Sequence, residues 1–360
     1  MLLDYFEPIN SAVLKNARND GTVEKQIRLN DGKSISLDHF QIALIGMGES
    51  ADNVRKHLYN LSDNLGPARI LDLGNLRITD DEKNNGFGLT QVIQELHNEA
   101  IVPIIIGETA DLSYYQYRAY ENERAMCEVA RIEAKVSLEE NSTLRNIILH
   151  QPNYLFNVTS IGVQMHYIST TIETYMNEMC FDVMRLGQFR DAPYESEPFL
   201  RSADIFSFDI NAIQANDINY AHMQPNGLTA DEACRITRYA GISNQISSAY
   251  FYGAPIDKKN NMGGELYAQL IWYFIQGYMS RRYDDPDGDL NNFTIYNTPL
   301  MDGKYNLKFL KSHFSERWWL QLDDENNLNK KFISCSYSDY VRASRDELPD
   351  RWWKAYQKLM

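Results

Sequence analysis

The sequence predicts an α/β fold, a mainly parallel sheet with helices on both faces, carrying a C-terminal appendage. Two observations point to it. Short apolar runs recur along most of the chain, and helix-like amphipathic stretches lie between several of them, the pattern of strands joined by helical crossovers. The chain has 360 residues, 44% of them hydrophobic, enough for one large core with something attached to it.

Taken in order, the candidate strands are 41–45, 101–106, 128–138, 154–163, 180–186, 205–210 and 246–252. Each is short and rich in β-branched or aromatic residues. The clearest helix-like stretches are 51–61, 90–99 and 229–239. The last of these has a defined start, with Thr229 as N-cap and Asp231 and Glu232 in the first turn. From about 283 to 310 the chain turns rich in Asp, Asn, Pro and Gly, and DDPDGDLNN reads as a loop. Beyond lies a stretch with Trp318-Trp319 and LPDRWW, in which Pro349 suits the first turn of a helix. The expected division is residues 1–300 for the α/β domain and 301–360 for a Trp-rich appendage packed on it.

The net charge of −14 and a pI near 5.0 repel nucleic-acid phosphates and anionic lipid headgroups. Neither is an expected partner; an unidentified small molecule or protein is, and a homo-oligomer is compatible with the chain. The doublets Lys258-Lys259, Arg281-Arg282 and Lys330-Lys331 are isolated and read as solvated faces. Four widely spaced cysteines form no CxxC or zinc pattern, and MLLDYFEPIN lacks a basic region followed by an apolar core. The expected location is the cytoplasm.

One motif invites a cofactor reading. ALIGMGESA at 43–51 holds G-x-G-x-x-A, with Asp72 some 20 residues on, the layout of a dinucleotide site. Against it, Glu49 would face a pyrophosphate, so nucleotide binding is not the expected function. Among the seven histidines no metal-type pairing appears; His166 reads as a structural histidine.

Three further segments carry more. PIIIGETADL at 103–112, IEAKVS at 132–137 and SFDINA at 207–212 follow one another in the chain, and Pro225-Asn226-Gly227-Leu228-Thr229 comes after them. In order and spacing they resemble the metal motifs of the ureohydrolase family (arginases, agmatinases and formimidoylglutamases), written P-x-x-x-G-G-x-H, D-A-H-x-D and S-x-D-x-D, with its P-x-G-G-L helix lead-in. Ala254-Pro255-Ile256-Asp257 resembles the family's last strand motif. The resemblance spans roughly residues 40–282, with formimidoylglutamase-like proteins as the nearest branch. It implies a three-layer α/β/α domain with about eight strands, and hydrolysis of linear amidines by two manganese ions. Family members are often oligomeric.

The ligand positions are degraded. The family's histidine of the first motif corresponds to Ala110. The Asp, His and Asp of the second correspond to Glu133, Lys135 and Ser137, and the two aspartates of the third to Asp209 and Asn211. Two hard cations held close together need several anionic oxygens, and only Asp209 is unchanged. Lys135 is expected to fill the metal's place and to hydrogen-bond Glu133, Asp209 and Asn211. The expected protein is therefore a non-catalytic binding or scaffold protein with no cofactor. The alternative is an active arginase-like hydrolase with a non-standard manganese site built from Glu133, Asp209 and Asp111, with Glu108 nearby.

Overall fold

A computed structural model describes residues 2–9, 13, 21–33, 35–48, 50–79, 82–123, 126–218, 224–253, 262–286, 290–322 and 332–359. Residues 254–257, Glu49 and the doublets 258–259 and 330–331 lie outside the described residues, as does part of the 284–292 loop.

The apolar runs form the strands of a ten-stranded sheet. Its strands are β1 (Phe6–Glu7), β2 (Ile27–Leu29), β3 (Ile42–Gly46), β4 (Ile70–Leu76), β5 (Val102–Ile106), β6 (Cys127–Ile132), β7 (Leu155–Val163), β8 (Asp182–Arg185), β9 (Ile205–Asp209) and β10 (Ser248–Tyr252). The order across the sheet is β1-β4-β3-β5-β10-β9-β6-β7-β8, with β2 also on β4. All pairs are parallel except β1 with β4. The seven strands expected from the apolar runs are all present. The three additional ones are two short N-terminal strands and β4, whose Asp72 and Gly74 break the apolar pattern.

Central strands are buried on both faces, which is why they read as continuous apolar runs. On one face Ile42, Leu44, Ile104, Ile132, Phe206 and Phe251 pack against helices Ser50–Leu58, Ala230–Ile242 and Met262–Tyr278. On the other, Ile45, Leu73, Ile105 and Tyr250 pack against helices Glu82–Asn98 and Leu112–Arg118. Thr229 caps its helix as expected: its hydroxyl accepts from Glu232 N at 3.2 Å, and the Glu232 carboxylate accepts from Thr229 N at 2.8 Å. Helix Glu82–Asn98 begins a full two turns before the expected residue 90. Its first turns contain Gly86 and Gly88, residues of low helix propensity. A Cβ on Gly86 would lie 2.3 Å from the Tyr115 ring, so glycine there permits a close helix contact.

The C-terminal residues form a four-stranded antiparallel sheet, β11 (Phe293–Leu300), β12 (Tyr305–Ser312), β13 (Trp318–Gln321) and β14 (Phe332–Cys335). Helices Tyr337–Ala343 and Asp350–Leu359 pack on it, the latter starting just after Pro349. Trp318 stacks with Tyr296 and Tyr340 inside this unit. Trp319 lies under Arg201, 4.3 Å from its guanidinium carbon. Arg201 reaches across from helix Glu197–Ser202 and donates to the carbonyls of Trp318 and Cys335, both at 3.0 Å.

Candidate functional site

Open parallel sheets present ligands to the carboxyl ends of their strands, and the three motifs end there on β5, β6 and β9. Register decides which side chains meet. Arg131 on β6 pairs with Ser160 on β7 and Ser207 on β9, and Ser207 pairs with Tyr250 on β10. Two residues on, Asp209 pairs with Tyr252, and the same register carries Glu133 alongside. Strand alternation puts both rows on one face.

Glu133 is 3% exposed. Its carboxylate is gripped by Arg131, which donates from Nε to Oε1 at 3.1 Å and from Nη2 to Oε2 at 2.9 Å. The Ser160 hydroxyl donates to Oε1 at 2.7 Å. This is a bidentate, charge-assisted fork. Burial alone would lower the Arg131 pKa; the charge and hydrogen bonds of Glu133, with the charge of Asp209, outweigh it and raise it. Arg131 thus stays a fixed cation at 5% exposure.

Asp209 closes the row. Asn211 donates to its Oδ1 twice, from the backbone N at 2.9 Å and from Nδ2 at 2.8 Å. Burial pushes the Asp209 carboxyl up from 3.8 to about 6, the Asn211 hydrogen bonds oppose the shift, Glu133 adds to it and Arg131 opposes it. The sign of the linkage follows. The folded state holds the proton up to about pH 6, the unfolded chain only to about 3.8, so stability from this group is greatest near pH 4 and is lost as pH rises through 6. The displacement corresponds to roughly 3 kcal/mol. Wild type should lose about that much relative to Asp209→Asn between pH 4 and 7 in urea titrations; a pH-independent difference would contradict it.

The turn after β10 presses on this pair. Gly253 has φ of +126°, and a Cβ there would fall 2.1 Å from Asp209 Oδ1 and 2.7 Å from Asn211 Nδ2. Gly253→Ala should cost about 2–4 kcal/mol, from left-handed strain and steric overlap together, read as a lower urea midpoint.

Lys135 corrects the sequence reading. Its side chain is 54% exposed and faces Glu139 at 3.9 Å; it holds none of Glu133, Asp209 or Asn211. The expected strand 128–138 ends at Ile132, so alternation no longer dictates where Lys135 points. The cation in the row is Arg131, which the motif comparison passed over. Its signal was available: it sits two residues before Glu133, hence on the same strand face. Ala110 packs against the apolar cluster beneath helix Leu112–Arg118, and its carbonyl accepts from Ser113 Oγ at 2.7 Å and Thr143 Oγ1 at 3.1 Å. The Ser137 hydroxyl accepts from Glu139 N at 3.4 Å. Glu108 and Asp111 line a separate cavity.

The donor set does not fit a two-manganese centre. Of the six positions that the resemblance would assign to metal ligands, only Glu133 and Asp209 are carboxylates; Glu133 is committed to a guanidinium and Asp209 Oδ1 to Asn211. Among the described residues no three His, Cys, Asp or Glu side chains converge as a metal site, so Glu133, Asp209 and Asp111 are not brought together.

Asp72 is equally unavailable to a nucleotide ribose. Arg55 donates to both its oxygens, at 2.9 and 3.0 Å, and Tyr59 OH and Gly74 N donate at 2.7 and 2.9 Å. His166 is exposed, with its ring 4.2 Å from that of Tyr167. Among the described residues no helix is long and apolar enough to cross a membrane.

No protein-family model matches the chain. Among curated proteins, an (R)-citramalate synthase from Synechocystis is 31% identical over 90 residues, 24% of this chain; the match spans about 16% of that relative's length. Solved structures are more informative. Trypanosoma cruzi formiminoglutamase, oxidised and with Mn²⁺, superposes with a TM-score of 0.65 at 15% identity, over 73% of this chain and 100% of its own. Formimidoylglutamase from Bacillus subtilis gives 0.63 at 18% identity, over 74% and 94%. Arginase from Bacillus subtilis gives 0.57 at 18% identity, over 65% and 98%.

Proposed function

We propose that this chain, whose fold is that of the arginases and formimidoylglutamases, is a ureohydrolase-like protein that has exchanged its metal centre for a buried ion-pair cluster and works as a non-catalytic binding protein. The observation that carries this is the Arg131 fork on Glu133. A working shell balances four carboxylates with two divalent cations and a hydroxide. Here Glu133 and Asp209 are balanced by one fixed guanidinium, giving the same overall charge of −1 without a metal. Arg131 cannot be a ligand, and its charge, held against the Glu133 carboxylate, repels Mn²⁺.

The test is metal content. Protein dialysed against excess Mn²⁺ and desalted should retain less than about 0.1 equivalent by elemental analysis, and its melting temperature should not rise with added Mn²⁺, because a metal bound to the folded state would stabilise it by mass action. No hydrolysis of formimidoylglutamate, arginine or agmatine should accompany it. One or two tightly held equivalents, or turnover of any of the three, would replace this reading with that of an active amidine hydrolase.

A further inference from the structure

The edge strand of an open sheet carries unpaired N–H and C=O groups that invite another strand, and folded proteins blunt such edges. Most of the described edges here are blunted. β1 and β2 are two and three residues long. β8 carries Asp182 and Arg185, and Lys354 closes on Asp182 at 2.9 Å. β14 lies against helix Glu197–Ser202, whose Arg201 donates to the Cys335 carbonyl at 3.0 Å. β11 is different. It runs for eight residues, FTIYNTPL, without a charge, and β12 is the only described strand that pairs with it. Thr294, Ile295, Asn297 and Pro299 are exposed on it, Ile295 to 47%. Thr294 and Ile295 point to opposite faces of the strand, so both faces are open there.

Ladder geometry tells which backbone groups face outward. His313 N donates to the Asn292 carbonyl at 2.9 Å, and the pairing of Phe293 with Ser312 sets those two residues opposite each other. Hydrogen-bonded pairs alternate along an antiparallel ladder, so Thr294–Lys311, Tyr296–Phe309 and Thr298–Leu307 are the bonded pairs. Phe293, Ile295 and Asn297 therefore turn their N–H and C=O groups away from β12. Pro299 falls in the same outward set, where a missing N–H costs the ladder nothing. Pro299 also limits how two such edges can meet. Antiparallel pairing about a two-fold axis at Ile295 sets Ile295 against Ile295 of a second copy, and Phe293 against Asn297. Each of these pairs can exchange two hydrogen bonds, and Pro299 stays outside them. An axis at Tyr296 would set Phe293 against Pro299 and lose a bond at each end. In an isologous contact every patch meets its own copy, so a charge on the strand would meet a like charge. β11 has none, and Lys308 and Lys311 stand one strand back, opposite Asn297 and Thr294. A strand from a different protein would require neither this neutrality nor this symmetry.

We propose that β11 is a self-association edge: two copies of this chain pair their β11 strands antiparallel about a two-fold axis at Ile295, which joins two four-stranded sheets into one continuous sheet. The contact is independent of the metal question. A strand-edge contact is small for a specific interface, so the dimer is a weak one. By sedimentation equilibrium the full chain should pass from monomer at about 1 µM towards dimer at several hundred micromolar. Ile295→Pro removes an outward N–H that β12 does not use, and should weaken association about tenfold or more. Ile295→Thr keeps that N–H and should stay within about threefold of wild type. Cross-linking reads the register. The two Ile295 Cα atoms would lie about 5.5 Å apart, inside disulfide range, so Ile295→Cys should give a covalent dimer on mild oxidation. Asn297→Cys should not, because four residues of offset put its two copies about 14 Å apart. A chain still monomeric at several hundred micromolar would leave the edge to some other partner and overturn the proposal. A dimer indifferent to Ile295→Pro, or one cross-linked through Asn297→Cys and not Ile295→Cys, would overturn it as well. The cross-linking pair carries the test even where the proline variant folds poorly.

Discussion

Arg131→Met should destabilise the fold by about 3–5 kcal/mol in urea unfolding at pH 7, among the largest effects of any single substitution in this chain. The reason lies in what is left behind. Glu133 would keep its 3% exposure and the Ser160 hydroxyl, and would lose both guanidinium donors. A carboxylate buried that way must either stay charged at high cost or take a proton. Glu133→Gln should be costly for the mirror reason, a buried guanidinium without its counter-ion. Arg131→Met with Glu133→Leu removes both charges and should recover most of the loss, since apolar replacement of a whole buried pair is often close to neutral. A single substitution costing under about 1 kcal/mol would mean that solvent reaches Glu133, and the metal-substitute reading would fall with it.

Asp72→Asn should cost a similar amount, about 3–5 kcal/mol. Arg55 and Asp72 are both fully buried. The carboxylate accepts four hydrogen bonds, from Arg55 twice, Tyr59 and Gly74. An amide supplies one acceptor oxygen and sets its own N–H groups against donors. The Arg55 guanidinium would retain Asp52 at 3.0 Å and the Gly74 carbonyl at 2.8 Å, but Asp52 is partly solvated and screens poorly. The urea midpoint should drop with little change in m-value. A midpoint within about 0.5 kcal/mol of wild type would show that this network is dispensable.

These two ion pairs also mark where sequence reasoning stopped. The parallel sheet was legible because burial on both faces removes polar residues from β3, β5, β9 and β10. β4 is harder to see, because Asp72 reads as cofactor chemistry when its partner, Arg55, lies on a helix 17 residues earlier. The two rows over the carboxyl edge were half legible. Glu133, Asp209 and Asn211 are named in the sequence because they fall on positions of the motifs that the chain resembles. Lys135 was misplaced because alternation fails once a strand ends, and nothing local in IEAKVS says that β6 stops at Ile132. The antiparallel sheet reads as a Trp-rich appendage from residue 301 on, whereas its first strand begins already at Phe293.

The strand order has a consequence for synthesis on the ribosome. β10 is the last main-sheet strand to be made, yet it is the middle one, seated between β5 and β9. Until residues 248–252 have emerged, the nascent chain can form only two half-sheets, one ending in β5 and the other in β9. Each would present an apolar, parallel-type edge with unpaired amides and carbonyls, a surface prone to wrong pairing. Chains stalled just short of β10 should therefore be protease-sensitive and chaperone-bound, and release of a dozen more residues should convert two loose halves into one cooperative unit.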